Sequence, residues 1–150
     1  MTDAFGRQLA MAYDAGGRLA TITDPANHVY QYAHDATGNL TAVTFPGGGT
    51  RTYLYNESAL TGGANLPDVL TGIVDENGAR FASFGYDGSR RPVLTEHAGG
   101  ADRYTLTYSG TSATITDPRG TIRTHAFTNV LGVSKPASIT QPCETCGGGK

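Results

Sequence analysis

The two cysteines of the chain, Cys143 and Cys146, have the spacing of a metal-binding or redox pair. Two thiolates separated by two residues supply half of a tetrahedral zinc site, and the same spacing closes a small disulfide ring or forms a redox centre. Zinc needs further ligands, and the nearest imidazole in the sequence is His125, so these would come from distant loops or a second chain. The redox interpretation lacks the βαβ pattern that activates such thiols. An incidental or structural role, zinc binding and redox chemistry therefore all remain open.

Two Asp-Pro bonds, Asp24-Pro25 and Asp117-Pro118, are acid-labile and raise the question of self-cleavage. Both fall where the surrounding pattern requires a chain reversal, and Asp followed by Pro is a common start of a β-turn. The segment 75–78 begins like a calcium loop but lacks the alternating acidic ligands and the closing glutamate of such a loop. We interpret all three segments as turns.

The four histidines do not accompany a recognisable nucleophile. No serine or cysteine in the sequence is framed by a strand-to-helix glycine motif, and the glycine runs 47–49 and 147–149 lack the lysine of a phosphate loop. The residues concerned are His28, His34, His97 and His125. The sequence predicts no catalytic residue, no enzymatic activity and no cofactor other than the zinc alternative.

Four tyrosines are spaced as a stripe on one face of a sheet: Tyr30, Tyr32, Tyr53 and Tyr55. In a strand, residues two apart point to the same face, so each pair shares a side. Such a stripe packs across strands, or it stacks on sugar rings in a carbohydrate-binding or adhesin module. The absence of tryptophan favours packing.

These residues are positioned by a repeat of 21 residues. The segment 14–19 (DAGGRL) returns at 35–40 (DATGNL), and Tyr32 returns as Tyr53. A fixed period of this kind indicates one supersecondary unit used repeatedly, and it directs attention to the assembly rather than to one pocket.

Each unit reads as two strands and two turns. Asp opens a turn, Gly or Asn tolerates the positive φ at its exit, and alternating segments such as 29–34 follow as strands. The predicted fold is an all-β antiparallel meander. The segment 57–67 interrupts the period and is expected to form a longer loop at one edge of the sheet, with a short helix possible over 57–66.

Composition excludes two classes of partner. Eleven basic and thirteen acidic residues give a net charge of −2, without the basic patch that nucleic-acid binding requires. No apolar run is long enough to span a membrane, and no signal peptide opens the sequence.

The ordered motifs resemble the bacterial rearrangement-hotspot (RHS) family of tyrosine-aspartate (YD) repeats. The resemblance is strong over 5–87 and looser to about residue 128, with His34, Asn56 and Arg90 departing from the consensus. The matching positions are Asp14, Gly17, Arg18, Asp24, Pro25, Tyr32, Asp35, Gly38, Asn39, Tyr53, Tyr55, Tyr86, Asp87, Asp117 and Pro118.

The resemblance implies a structural segment of a β-shell wall that encloses a C-terminal polymorphic toxin, related to toxin-complex and teneurin shells. Its partners would be the rest of the parent shell and its toxin, and the parent would be exported; the localisation of this chain itself is unknown. We find no counterpart of the family's self-cleavage motif or of a toxin domain in the sequence. We expect a YD-repeat sheet over 1–131 and a Pro/Gly-rich segment over 132–150.

A sheet segment has two unpaired edges. The chain is therefore expected either to close on itself as a barrel or sandwich or to self-associate through its edge strands.

Overall fold

The computed structural model describes residues 1–140, which form one antiparallel sheet of twelve strands in sequential order. The strands are β1 (Ala10–Tyr13), β2 (Leu19–Thr23), β3 (Val29–His34), β4 (Leu40–Thr44), β5 (Thr50–Tyr55), β6 (Leu70–Val74), β7 (Arg80–Tyr86), β8 (Pro92–His97), β9 (Tyr104–Ser109), β10 (Ser112–Thr116), β11 (Ile122–Val130) and β12 (Val133–Ile139). The predicted all-β antiparallel meander is confirmed. The described helices are two single 3-10 turns, Ser58–Leu60 and Ala98–Gly100, and none of them has the length or apolar character to cross a membrane.

The sheet is open. Among residues 1–140, β1 and β12 stand at opposite edges of the strand order and each is paired on one side only. The predicted alternative of closure into a barrel or sandwich is therefore not adopted. A sequential meander closes only where the accumulated twist and coiling of its strands bring the two edge strands together, and β1 and β12 do not pair in this sheet.

Because the strands alternate in direction, the turns fall into two rows. Rim A holds the turns 14–18, 35–39, 87–91, 110–111 and 131–132 and the long connection 56–69. Rim B holds the turns 3–7, 24–28, 45–49, 75–79 and 117–121 and the connection 98–103.

The register separates two chemically different faces. The tyrosine face contains cross-strand pairs such as Ile22 with Tyr30, Tyr32 with Val43, and Tyr53 with Ile73. The opposite, threonine face carries ladders of hydroxyls, with 3.0 Å hydrogen bonds joining Thr44 to Thr50 and Thr114 to Thr124. The cross-strand pairs of the tyrosine face and the hydroxyl ladders of the threonine face both stabilise strand pairing, and neither needs a second layer of secondary structure packed on the sheet.

The sheet buries little apolar surface. In the described region the buried apolar side chains are Val43, Leu66, Ala82 and Ala113. Thr61 and Thr71 are fully buried, and both lie on or beside the connection 56–69. The most enclosed part of the molecule is therefore where this connection meets the sheet.

The connection 56–69 is an expanded turn of rim A. Asn56 occupies the position of Asp14 and Asp35, and its N–H donates to the Val69 carbonyl at 3.3 Å, as the Asp14 N–H donates to Arg18 in the five-residue turn. The Asn56 side chain still caps the loop by accepting from the Leu66 N–H at 2.7 Å. The insertion joins the central strands β5 and β6, so its predicted position at one edge of the sheet is wrong. The short helix that the sequence allowed over 57–66 is limited to the single turn Ser58–Leu60.

A charged clamp fixes this insertion to the sheet. The Arg80 guanidinium donates to both carboxylate oxygens of Glu57 at 2.8 Å, and its Nη2 also donates to the Thr71 carbonyl at 2.8 Å. The Thr71 hydroxyl donates to Glu57 Oε2 at 2.8 Å. A two-pronged pair of this kind is geometrically specific, and the Arg80 hydrogen bonds are the leading cause that lowers the pKa of Glu57.

Gly72 makes room for the clamp. A Cβ at this position would lie 2.2 Å from Arg80 Nη2, so a side chain here would displace the guanidinium from its place in the clamp. The guanidinium therefore lies directly over the Gly72 backbone, and the clamp takes this position because residue 72 has no side chain.

Strand β12 lies within the segment 132–150 that the sequence marks as Pro/Gly-rich, so pairing with β11 continues the sheet to Ile139. The division of the chain at residue 131 stays a prediction. Cys143 and Cys146 lie outside the described residues.

We predict that Arg80→Met lowers the free energy of unfolding by about 1–3 kcal/mol, because Glu57 loses its charged hydrogen bonds. The matched control is Arg90→Met, which removes the more exposed pair with Asp68 (side chains 52% and 58% exposed) and should have a clearly smaller effect, since water screens that pair. Urea unfolding measures the free energy of unfolding of both variants.

Gly72→Ala should lower the free energy of unfolding less in the Arg80→Met background than in the parent protein, because the guanidinium that the new Cβ displaces is already absent. Equal losses of stability in both backgrounds would contradict the clamp.

Candidate functional site

The recurrent element of the molecule is a five-residue turn opened by an aspartate. At Asp14, Oδ1 accepts from the N–H groups of Gly16 at 2.8 Å and Arg18 at 2.9 Å. The Asp14 N–H donates to the Arg18 carbonyl and the Gly17 N–H donates to the Asp14 carbonyl. One carboxylate oxygen thus satisfies two backbone donors that the chain reversal leaves unpaired.

The same pattern recurs at both rims. Oδ1 accepts from the N–H groups of the third and fifth turn residues at Asp3, Asp14, Asp24, Asp35, Asp75, Asp87 and Asp117. Pro25 and Pro118 take the second position, directly after the aspartate. The turn 45–49 begins with Phe45 and keeps only the backbone hydrogen bonds.

The fourth turn residue has a positive φ, which explains the glycine of the repeat. Gly17 has a φ of 75° and Gly38 a φ of 96°. Asn27 takes this conformation at rim B, as does Arg90 at rim A with a φ of 65°. Arginine is strained in this conformation. The turn nevertheless keeps the same backbone hydrogen bonds, so the departure from consensus at Arg90 leaves the turn geometry unchanged.

In five of the seven aspartate turns, the side chain of the fifth residue pairs with the second carboxylate oxygen. Arg18 Nε donates to Asp14 Oδ2 at 2.8 Å, and Asn39 Nδ2 donates to Asp35 Oδ2 at 2.9 Å. Arg7, His28 and Arg91 pair with their aspartates in the same way. The Gly-Arg or Gly-Asn of the repeat is therefore a positive-φ residue followed by a partner for the carboxylate.

Arg18 also links two turns of rim A. Its Nη1 donates to the Asp35 carbonyl at 2.7 Å, across the two intervening strands. This contact between units was not predicted from the sequence, because the spacing of 17 residues becomes meaningful only once β2 and β3 are paired.

The hydrogen bonds at the turns favour the ionised form of Asp14, Asp24, Asp35, Asp87 and Asp117. The pKa of Asp35 is lowered to about 2, chiefly by the Thr37 hydroxyl and then by the Asn39 side chain. The pKa values of Asp14, Asp24, Asp87 and Asp117 are lowered chiefly by the backbone N–H of the fifth turn residue. The turns are therefore built for the charged carboxylate.

The tyrosine that precedes a turn of rim A latches the neighbouring unit. The Tyr55 hydroxyl donates to the Leu40 carbonyl at 3.0 Å, and the Tyr108 hydroxyl donates to the Pro92 carbonyl at 2.8 Å. Leu40 and Pro92 are each the first residue after an aspartate turn. Arg91, the last residue of its turn, lies under the Tyr108 ring at 4.4 Å. We call this hydroxyl-to-carbonyl hydrogen bond the tyrosine latch.

Two positions in the first units share the period of Tyr55 without forming the latch. His34 lies 21 residues before Tyr55 and has no phenol to donate to the Leu19 carbonyl. Tyr13 lies 21 residues earlier still, is 61% exposed, and has its hydroxyl 3.9 Å from Met11 Sδ. Tyr86 precedes Asp87 at the end of β7, where burial raises its pKa.

The four tyrosines proposed as a ligand stripe share the tyrosine face. Tyr30 meets Phe45 edge to face at 6.2 Å between ring centroids, and Tyr55 is engaged in its latch. Tyr32 and Tyr53 lie opposite Val43 and Ile73. These contacts match cross-strand packing, and the carbohydrate alternative stays a prediction.

The remaining candidates are dispersed. His28 pairs with Asp24, His97 meets Phe81 edge to face, and His125 lines a mostly apolar hollow of about 480 Å³ on the tyrosine face near β9 and β11. Within residues 1–140, no three His, Cys, Asp or Glu side chains come together as a metal site. The zinc alternative for Cys143 and Cys146 falls outside the described residues.

Comparison with known proteins places the repeat in a family. A family model described as RHS Repeat matches residues 1–29 and again 13–50, and the two matches end 21 residues apart. No curated protein matches the chain.

We predict that His34→Tyr raises the free energy of unfolding by about 0.5–1.5 kcal/mol, because the new hydroxyl reaches the Leu19 carbonyl as Tyr55 reaches Leu40. His34→Phe is the matched control, since it adds the ring without the donor. Urea unfolding of both variants separates the two contributions. Equal stability of the His34→Tyr and His34→Phe variants would contradict the latch.

We predict that stability falls as the pH is lowered from about 5 to about 2, because carboxyls with lowered native pKa values stabilise the fold only while ionised. Above the unfolded pKa this contribution is fully present, and it disappears as the pH falls through the native pKa. Asp35→Asn should be less stable at pH 7 and should show a shallower decline on acidification. Asp102→Asn, outside the aspartate turns, serves as the control. The midpoints of urea unfolding at each pH compare the variants with the parent protein. Parallel pH profiles for Asp35→Asn and the parent would contradict the prediction.

Proposed function

Because this is an RHS/YD-repeat chain, we propose that it forms part of a shell wall that encloses a C-terminal toxin domain of a longer polypeptide. RHS repeats are structural repeats, and in this role the chain performs no chemistry and uses no cofactor. Its partners are the adjoining repeats of the shell and the enclosed domain.

The observation that carries the proposal is the contrast between rims and edges. At both rims the aspartate turns satisfy the backbone groups of each reversal within the turn itself. At the two edges of the described sheet, β1 and β12 each have one side without a paired strand from residues 1–140. A sheet with finished rims and open edges grows in one direction only, by adding strands. The sheet therefore has the geometry of a strip that lengthens by added strands, and such a strip can form the wall of a shell if it continues and curves.

The faces fit the same role. The ladders of both faces hold the strands together within a single layer, and the described strands are in extensive contact only with their neighbours in sequence. Stability is then the sum of neighbouring contacts, as in other repeat proteins. A wall of this kind extends without needing a central core.

The test isolates the full-length polypeptide from a cell whose genome encodes this sequence and treats it with a low concentration of protease. We expect further strand-and-turn units and a C-terminal domain that resists protease while the shell is intact. Deletion of residues 24–34, one turn and one strand, reverses the direction of every later strand and moves their turns to the opposite rim. That deletion should expose the enclosed domain.

The matched control is deletion of residues 14–34, a full 21-residue period. It removes two strands and keeps every later turn on its rim, so protection of the enclosed domain should largely remain. A full-length product of only 150 residues, or a C-terminal domain equally sensitive to protease in all three proteins, would overturn the proposal.

A further inference from the structure

The hairpin of β11 and β12 ends in an exposed leucine. Leu131 and Gly132 form its two-residue turn, and the Leu131 side chain is 99% exposed. Val130 and Val133 form the last cross-strand pair before the turn and are also exposed. We call Val130, Leu131 and Val133 the apolar tip. A turn lies at the ends of its strands, so the tip is reached from rim A whether or not a further strand lies beside β12.

Leu131 has a backbone conformation that leucine disfavours. Its φ is 53°, and Gly110 has the same φ at the first position of the preceding two-residue turn of rim A. Hairpin turns with positive φ favour glycine, asparagine or aspartate at such positions, and a bulky side chain there is an outlier. Because the Leu131 side chain is almost fully exposed, no contact within residues 1–140 offsets this cost. Such an outlier points to a functional contact with another molecule.

The apolar tip projects beyond the neighbouring turn. β10 begins at Ser112, and the Phe127 N–H donates to the Thr111 carbonyl at 2.8 Å, where the contact of β11 with the β9–β10 hairpin ends. Residues 128–130 continue past that turn by about 10 Å, at roughly 3.3 Å per residue. The Asn129 side chain accepts from the last N–H of the turn at 2.8 Å. The tip is therefore a fixed projection from rim A.

The apolar hollow beside this hairpin is formed by one small residue. Elsewhere on the tyrosine face, the cross-strand partners of three tyrosines are branched aliphatic residues, namely Ile22, Val43 and Ile73. Tyr108 lies opposite Ala113 instead. The short alanine side chain leaves a gap between β9 and β11, and this gap is the hollow of about 480 Å³.

The chemistry of the hollow suits an aliphatic side chain. Its walls include Leu106, Ile115 and Phe127, and its polar groups at Asn129 and Ser134 lie toward the tip. Its volume is within the range of pockets that enclose a ligand, about 300–1,000 Å³. Such a wall gains free energy by burying apolar surface and loses it by burying an unpaired polar group. An exposed leucine is an occupant of the matching kind.

The tip and the hollow belong to one hairpin, so the surface is self-complementary. Ala113, at the hollow, pairs with His125, and Leu131 follows six residues later, about 20 Å along the strand. At this distance the tip of a chain does not reach its own hollow. Two copies placed face to face and antiparallel, related by a two-fold axis, put each tip over the hollow of the other, and both copies then make the same contact.

We propose that this part of the tyrosine face is a docking surface for a second copy of the chain, in which Leu131 of each copy fills the hollow over Ala113 of the other. Burial of the two leucines offsets the cost of their backbone conformation and removes two apolar hollows from water. The contact joins faces and tips, so it does not use the edges of the sheet. It goes beyond the wall function, because it joins separate molecules rather than units of one sheet.

The experiment measures sedimentation of the 150-residue chain. The contact is small, so weak dimers are expected, with a Kd on the order of 100 µM. Leu131→Asn should raise the Kd at least about 10-fold, because each copy loses a buried leucine. The same variant should keep or raise the free energy of unfolding, since Asn-Gly suits the turn. Ile122→Asn is the matched control: it removes an exposed apolar side chain at the other end of β11 and should dimerise as the parent does.

Ala113→Ile tests the hollow. The larger side chain fills the hollow within its own copy, so this variant should also be monomeric at concentrations where the parent dimerises. Urea unfolding shows whether it is folded, and Ala113→Val replaces it if isoleucine does not fit.

A mixture of variants tests the reciprocity. Leu131→Asn retains the hollow and Ala113→Ile retains the tip, so together they form one of the two contacts. The mixture should associate more strongly than either variant alone and less strongly than the parent. A parent that is monomeric at about 1 mM, equal association of the parent and Leu131→Asn, or assemblies larger than a dimer would overturn the proposal. None of these results depends on an enclosed domain, so the docking surface and the wall function can fail separately.

Discussion

The fold depends on one interaction, a carboxylate oxygen that accepts two backbone N–H groups at a chain reversal. At Asp14 and its equivalents this lets five residues turn the chain and finish the strand end without other help. Two such turns and two short strands make up the 21-residue period. Because the turn is self-contained, the same unit works at either rim and beside any neighbour, which is the condition for building a sheet by repetition.

Local features could be predicted from the sequence, and non-local ones could not. Asp14, Gly17 and Pro25 act within their own turns, so residue type and spacing are sufficient to recognise them. The Glu57–Arg80 clamp joins residues 23 apart across a glycine, and it exists only because the turn at Asn56 is expanded and folds back. The latch of Tyr55 likewise requires the pairing of β4 with β5. Closure into a barrel or sandwich could not be decided from the sequence, since it depends on accumulated twist rather than on any one residue.

Contacts within the turns and contacts between repeat units have different structural roles. The turns fix the length and direction of each strand, and the contacts between units, such as Arg18 with the Asp35 carbonyl and the tyrosine latches, fix one unit against the next. With few buried apolar side chains, the sheet relies on these directional contacts more than a layered domain does. His34 and Arg90 show that individual contacts can be lost or strained while the register is kept.

The expanded turn at 56–69 also bears on how such chains diversify. Nine residues more than a standard turn are accommodated there, yet Asn56 and Val69 still close the loop and the strands on both sides keep their pairing. Length variation at a strand end is therefore decoupled from sheet geometry. A rim of this kind is a place where new segments, including ones with binding properties, can be acquired in evolution or grafted by design without redesign of the sheet.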